Sequence, residues 1–195
     1  RHYNRTGKLL RRLAGLMEVA ESDRPTDSKK GGAESRRSGG EINLKDKTAV
    51  LFVNGFSGTG LHTLFTILRL FPGIYKNFVF VQIGLIDSGV FKGAEEISEL
   101  KEHISKGSTR YVEYMRRHGY FAESLTSIAV DVVDESLKLA TEILARYPQA
   151  VFFAGQLVFP EDTFFTRWLH NFSAFAIQRS FYHQGIPIVI LPIRL

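Results

Sequence analysis

The stretch that decides the fold is residues 47–63, KTAVLFVNGFSGTGLHT. Its first half is a continuous apolar run, which predicts a buried strand, and its second half predicts the first turn of a helix. Gly55, Gly58 and Gly60 lie between the two and allow a tight turn. Many α/β domains begin in this way, and the turn is a common place for them to bind a ligand.

Strand-like and helix-like segments alternate from this stretch to the end of the chain. The predicted strands are Ala49–Asn54, Asn77–Ile86, Phe121–Ala129, Ala150–Phe153 and Pro187–Ile193. The predicted helices are Leu61–Leu70, residues 93–117 with a break near Gly107, Val132–Tyr147 capped by Asp131, and Thr163–His183. Strands separated by helices indicate a parallel sheet. We therefore predict an α/β fold with a doubly wound, five-stranded parallel sheet of Rossmann-like type.

The last predicted strand has features of an edge strand. Pro187 and Pro192 lack backbone N–H donors, which favours a place at the edge of the sheet. An apolar edge strand is an aggregation risk unless another surface covers it. The helix before it carries a heavy aromatic load, which belongs either to the core or to an interface. We therefore predict a homodimer that forms through the last strand or the last helix.

Composition narrows the function classes. The chain has 195 residues and no cysteine, which excludes a disulfide framework and thiolate metal sites. Its histidines form neither H-x-H nor H-E-x-x-H, so no metal site is predicted. The net charge is +5, but five basic residues precede the first acid, Glu18. Taking these five from the 25 basic residues leaves 20, which balance the 20 acidic residues, so no nucleic-acid partner is predicted.

The first 46 residues differ from the rest. Residues 1–20 combine basic side chains with an apolar stripe at helical spacing, formed by Leu9, Leu10, Leu13, Leu16 and Met17. This pattern predicts a juxtamembrane amphipathic helix that contacts an anionic membrane surface, or else a helix that packs on its own domain. Residues 21–46 have the composition of a flexible linker, and residues 47–195 form the α/β domain. Because the chain starts at Arg1 rather than Met, we expect it to be part of a longer protein.

The glycine loop, Gly55–Gly60, is the first candidate site. Its backbone N–H groups could hold an anion or a nucleotide phosphate. Its spacing matches neither the dinucleotide fingerprint nor the Walker A loop, so the other reading is a turn that allows close packing. The loop also resembles the His-Gly turn after an early strand of α/β-hydrolases, with Asn54 in place of His, but no G-x-S-x-G elbow is present and no catalytic residue is assigned. The predicted ligand-binding residues are Asn54, Gly55, Ser57, Gly58, Gly60, Asp87 and Gly155.

Several longer segments resemble one family. Residues 69–97, residues 150–159 and residues 167–195 look like the soluble C-terminal domain of bacterial permeases of the amino acid–polyamine–cation (APC) superfamily. The opening RHYNRTGKLLRRL looks like the exit from the last transmembrane helix of such a permease. The resemblance implies a non-catalytic regulatory or dimerisation domain on the cytoplasmic side of the cell membrane. Its first partner would be the transmembrane permease domain of the same protein.

The domain is also similar to universal stress proteins, whose final helix and strand are matched by NFSAFAIQRSFYHQGIPIVILPIR, residues 171–194. Members that hold ATP carry an Asp at the end of the first strand and a G-x2-G-x9-G-[ST] loop after the fourth. Here Asn54 takes the first position, and the next glycine after Gly155 is Gly185. The ATP motif is therefore incomplete, and no cofactor is expected. The alternatives are a nucleotide or anion sensor at residues 55–60 and a hydrolase-like enzyme.

Overall fold

The computed structural model describes residues 42–86, 94–158 and 172–194, together with Gly15. The strands are β1 (Lys47–Phe52), β2 (Tyr75–Leu85), β3 (Phe121–Ala129), β4 (Ala150–Val158) and β5 (Ile188–Arg194). The helices are α1 (Gly58–Leu70), α2 (Ala94–Arg117), α3 (Val132–Arg146) and α4 (Phe172–His183). The predicted helix within residues 1–20, the linker up to residue 41 and the start of the last predicted helix, residues 163–171, lie outside the described residues.

The five strands form one parallel sheet in the order β3-β2-β1-β4-β5. β1 lies at the centre, where Leu51 is in register with Phe80 of β2 on one side and Phe153 of β4 on the other. The chain moves outward from β1 through β2 to β3, and then crosses to β4 on the opposite side. This order confirms the prediction of a doubly wound α/β fold. It also confirms that the last strand lies at an edge of the sheet.

The sheet is covered on both faces, and each face has its own apolar core. One core joins β1 and β2 to α1 and α2 and contains Leu51, Leu64 and Tyr111. The other joins the same strands to α3 and α4 and contains Val50 and Phe181. Successive side chains of a strand point to opposite faces, so a strand covered on both sides must be apolar at consecutive positions. This requirement explains the unbroken apolar run at the start of residues 47–63.

An aromatic cluster joins the central strands to the last helix. Phe152 of β4 is stacked on Phe52 of β1, with ring centroids 6.0 Å apart. The ring of Phe181 from α4 meets Phe152 edge-on at 5.1 Å and Phe52 at 6.0 Å. Aromatic pairs in these geometries add to the stability gained from burial alone. The cluster anchors α4 against the sheet and thus fixes one wall of the crevice above the strand ends.

Several predicted boundaries and one predicted helix break were wrong, and four of these differences have identifiable physical reasons. α1 begins at Gly58 rather than Leu61, because Ser57 caps it by accepting a hydrogen bond from the N–H of Gly60 at 3.3 Å. β1 ends at Phe52, short of Asn54, because the chain then turns. α2 runs through Gly107 without a break. β4 continues past Phe153 to Val158, because β5 pairs with it over that whole length.

The predicted cap at Asp131 is confirmed, since its carboxylate accepts hydrogen bonds from two backbone N–H groups of α3.

We expect Phe152→Ala to destabilise the domain by about 3–5 kcal/mol, because it removes a fully buried ring from the aromatic cluster and leaves a cavity. Phe152 is 0% exposed, whereas Phe175 on the outer side of α4 is 51% exposed. Phe175→Ala is therefore the matched control, with an expected change below about 0.5 kcal/mol. Urea unfolding followed by circular dichroism measures both. Equal effects of the two substitutions would contradict the assignment of Phe152 to the core.

Candidate functional site

A pocket of about 580 Å³ lies above the carboxyl ends of β1, β2 and β4. This is the point at which the strand order reverses, which is where open α/β sheets usually bind ligands. Helices on both faces of the sheet contribute to its walls. Its described lining consists of Phe52, Val53, Asn54, Gly55, Thr59, Gly60, Thr63, Val81, Gln82, Ile83, Gly84, Leu85, Leu100, His103, Ile104, Val132, Ala154, Gly155, Ala174, Ile177 and Ile193.

The glycine loop forms one side of the pocket mouth. Asn54 is exposed and comes directly after the last residue that keeps to the sheet, Val53, whose N–H donates to Val81 at 2.9 Å. Gly55 has φ of +64°, in the left-handed region that favours glycine. The chain thus reverses at Gly55 and enters α1 after the Ser57 cap. The loop is a turn with its own internal support.

A buried side chain from β2 satisfies the backbone of this turn. Once its amide is oriented to match its neighbours, Gln82 accepts a hydrogen bond from the N–H of Gly55 at 3.0 Å. The same amide donates to the carbonyl of Ile104 in α2 at 3.1 Å. Gln82 is almost fully buried, so both of its ends need partners. It therefore joins three elements: β2, the glycine loop and α2.

Tyr111 of α2 makes a second bridge to the loop. The N–H of Ser57 donates to its hydroxyl at 3.1 Å, and that hydroxyl lies 3.2 Å from the carbonyl of Gly55 and 3.3 Å from that of Ser57. The ring is stacked on Phe80 at 4.9 Å and contacts Phe56 at 4.8 Å. Burial raises the pKa of Tyr111, against the opposing effect of its hydrogen bonds with Ser57. The hydroxyl therefore stays protonated and serves as both donor and acceptor.

Two glycines allow α2 to pack closely against the loop and against the start of α1. A Cβ atom at Gly107 would lie 3.1 Å from the Cα of Gly55 and 3.2 Å from the backbone nitrogen of Phe56. A Cβ at Gly60 would overlap the hydroxyl of Tyr111. Gly107 is therefore the point at which α2 packs against the loop, and the helix continues through it.

The structure brings four of the seven predicted site residues to the pocket wall: Asn54, Gly55, Gly60 and Gly155. Ser57 is the cap of α1, and Gly58 is the first residue of that helix. A Cβ at Gly155 would overlap the hydroxyl of Thr63, so the missing side chain lets α1 pack on β4. Asp87 lies outside the described residues. Ligand binding by these residues stays a prediction.

Sequence reasoning missed the two side chains that organise the site. Gln82 is the one polar residue between Phe78 and Ile83, in the apolar part of β2, and that contrast is the signal that could have revealed it. Tyr111 gives no such signal, because it belongs to no local motif and meets the loop 54 residues away in sequence.

The described residues contain neither a metal-ion cluster nor a membrane-spanning helix. Among residues 42–86, 94–158 and 172–194, no three His, Asp or Glu side chains form a group that could hold a metal ion. Within the same part of the chain, no helix combines the length and the hydropathy needed to cross a membrane.

Comparison with solved structures identifies the class of fold. A protein of the universal stress protein family from Burkholderia pseudomallei aligns with 75% of this chain and 96% of its own, with 16% sequence identity and a TM-score of 0.52. A universal stress protein family protein from Arabidopsis thaliana, solved with AMP bound, covers 75% of this chain and 91% of its own, with 12% identity and a TM-score of 0.46. No protein-family model and no curated protein matches the sequence.

The chain therefore has a fold of universal-stress-protein type, as its sequence predicted. At 16% identity, the likeness to the Burkholderia protein shows the fold alone. The permease context stays a prediction.

We expect Tyr111→Phe to destabilise the domain by about 1–3 kcal/mol, because it leaves the N–H of Ser57 without its hydrogen-bond acceptor. The matched control is Tyr182→Phe, since Tyr182 is 79% exposed. Hydrogen exchange should locate the effect, with faster exchange at Ser57 in Tyr111→Phe. Unchanged exchange at Ser57 would show that the Tyr111 hydroxyl does not hold the loop.

Proposed function

We propose that this chain is a non-catalytic regulatory and dimerisation domain of a bacterial membrane permease that carries amino acids or cations. The observation that supports this proposal is that backbone N–H groups of the glycine loop already have hydrogen-bond acceptors within the domain. The N–H groups of Gly55, Ser57 and Gly60 donate to side chains of the domain itself. A loop that grips phosphate uses such N–H groups for the ligand. The loop thus has a structural role, which is to connect neighbouring elements, and the domain acts mainly through its surfaces.

The membrane context rests on the sequence. Segments 69–97, 150–159 and 167–195 resemble the C-terminal domain of APC-superfamily permeases. Residues 1–20 carry the basic charge that accumulates on the cytoplasmic side of transmembrane helices. Together they support a domain held at the cytoplasmic face of the cell membrane by residues 1–20, next to anionic lipid and the transmembrane domain of the same protein.

Two surfaces could form the dimer. β5 is an edge strand whose Ile188, Val189 and Ile190 are only half-buried. On α4, Phe175 and Tyr182 are both exposed and stand seven residues apart, so they lie on one face of the helix. Apolar edges and aromatic patches are the surfaces that association most readily covers.

A nucleotide or anion sensor at residues 55–60 is the second candidate, and the pocket beside the loop supports it. Calorimetric titration with ATP and ADP distinguishes this sensor from a regulatory domain that acts through its surfaces. Binding heat together with a thermal shift at millimolar nucleotide would favour the sensor. The absence of both would favour a domain that works through its surfaces.

The parent reading frame is the first test of the permease assignment. We expect it to encode several apolar segments of about 20 residues upstream of Arg1, the length that spans the hydrocarbon core. The segment nearest to Arg1 should end within a few residues of it. A frame that encodes no such segments upstream would show the assignment to be wrong.

The oligomeric state tests the dimer. Light scattering after size exclusion should give twice the chain mass of 22.1 kDa. If β5 forms the interface, Ile190→Lys should give a monomer, because a lysine at a strand edge blocks pairing. If α4 forms it, Phe175→Ser with Tyr182→Ser should do so instead. Thr141→Lys, on the exposed side of α3, is the charge control and should stay dimeric. A monomeric wild-type chain would contradict the proposal.

A further inference from the structure

The chemistry of the pocket walls differs from that of a phosphate site. Apolar side chains from both faces of the sheet form most of the described lining, among them Val53, Ile83, Leu100, Ile104 and Ile177. The polar groups in the described lining are amides and hydroxyls, together with the ring of His103. A pocket of this size whose side chains are mostly apolar is typical of small-molecule sites in proteins.

Two backbone N–H donors in the pocket wall already have partners within the domain. The N–H of Gly55 is held by Gln82, and the N–H of Gly60 by the Ser57 hydroxyl. An anion that entered the pocket would lose its hydration, and these donors could not replace it without breaking the supports of the loop. Burial of an uncompensated charge is far more costly than burial of a neutral group. Neither of these two donors is therefore available to an anion.

The polar groups that remain lie towards the mouth. Asn54 and His103 are exposed, and Thr59 is half-exposed at the start of α1. A ligand with its apolar part inside could hydrogen-bond to an amide or a hydroxyl at this end.

We infer that the pocket binds an uncharged, predominantly apolar small molecule with one hydrogen-bonding end. The inference does not depend on the permease assignment, because it rests on the pocket alone. It names a ligand class different from the nucleotide or anion considered for the loop.

Two fluorescent probes with one framework test the class directly. N-phenyl-1-naphthylamine is neutral, and 8-anilino-1-naphthalenesulfonate adds a sulfonate to the same pair of ring systems. The full chain is titrated with each at about pH 8. We expect one neutral probe per chain, bound at least about tenfold more tightly than the sulfonate. Millimolar ATP should not displace it.

Variants at Ala174 show whether the pocket is the site. Ala174 lies half-buried on the pocket wall, whereas Ala145 is exposed on α3 and not among the lining residues. Ala174→Trp should fill the pocket and weaken the neutral probe at least about tenfold. Ala174→Lys should place a cation there and reverse the preference towards the sulfonate. Ala145→Trp and Ala145→Lys should behave as the wild type.

Four results would overturn the inference: no binding of the neutral probe, equal or tighter binding of the sulfonate by the wild type, displacement by ATP, or equal effects at positions 174 and 145. Circular dichroism first establishes that each variant is folded. If Ala174→Trp does not fold, the test is whether Ala174→Lys reverses the probe preference from the neutral compound to the sulfonate. Failure of the permease assignment would leave these results unaffected, so the two proposals fail separately.

Discussion

The position of the glycine loop depends on two side-chain bridges to the rest of the domain. Gln82 links the loop to β2 and α2, and the hydroxyl of Tyr111 holds the backbone of Gly55 and Ser57. Both groups are buried, so an unmet hydrogen bond at either would carry its full desolvation cost. This is why α2 lies against the loop, and why the crevice above the strand ends has a fixed wall.

That constraint also shapes the functional argument. In open α/β folds, the turn after the first strand is a common place for a ligand to bind. Here its N–H groups stabilise the domain itself, and the available space lies beside the loop, between apolar walls. We propose that this space binds a neutral molecule and that the outer surfaces of the domain make its larger contacts.

Features that depend on local chemistry were predictable. The apolar run before Gly55 required a strand covered on both faces, and Pro192 in the last strand favoured an edge. Asp131 was a recognisable helix cap, because a carboxylate there can accept from the first N–H groups. Gly107 was misjudged as a break in its helix. Its local preference is for flexibility, but its actual role is a contact with Gly55 and Phe56, distant in sequence.

The sequence by itself determined the class of fold, since the alternation of apolar strands and amphipathic helices leaves few other ways to bury both faces of a sheet. It also indicated the glycine loop as the candidate ligand-binding site. Only the tertiary structure decided what the loop does, because its hydrogen-bond partners come from β2 and from a helix more than 50 residues away in sequence. Pairings of that kind have no periodicity and no motif, and they exist only once the elements have packed together.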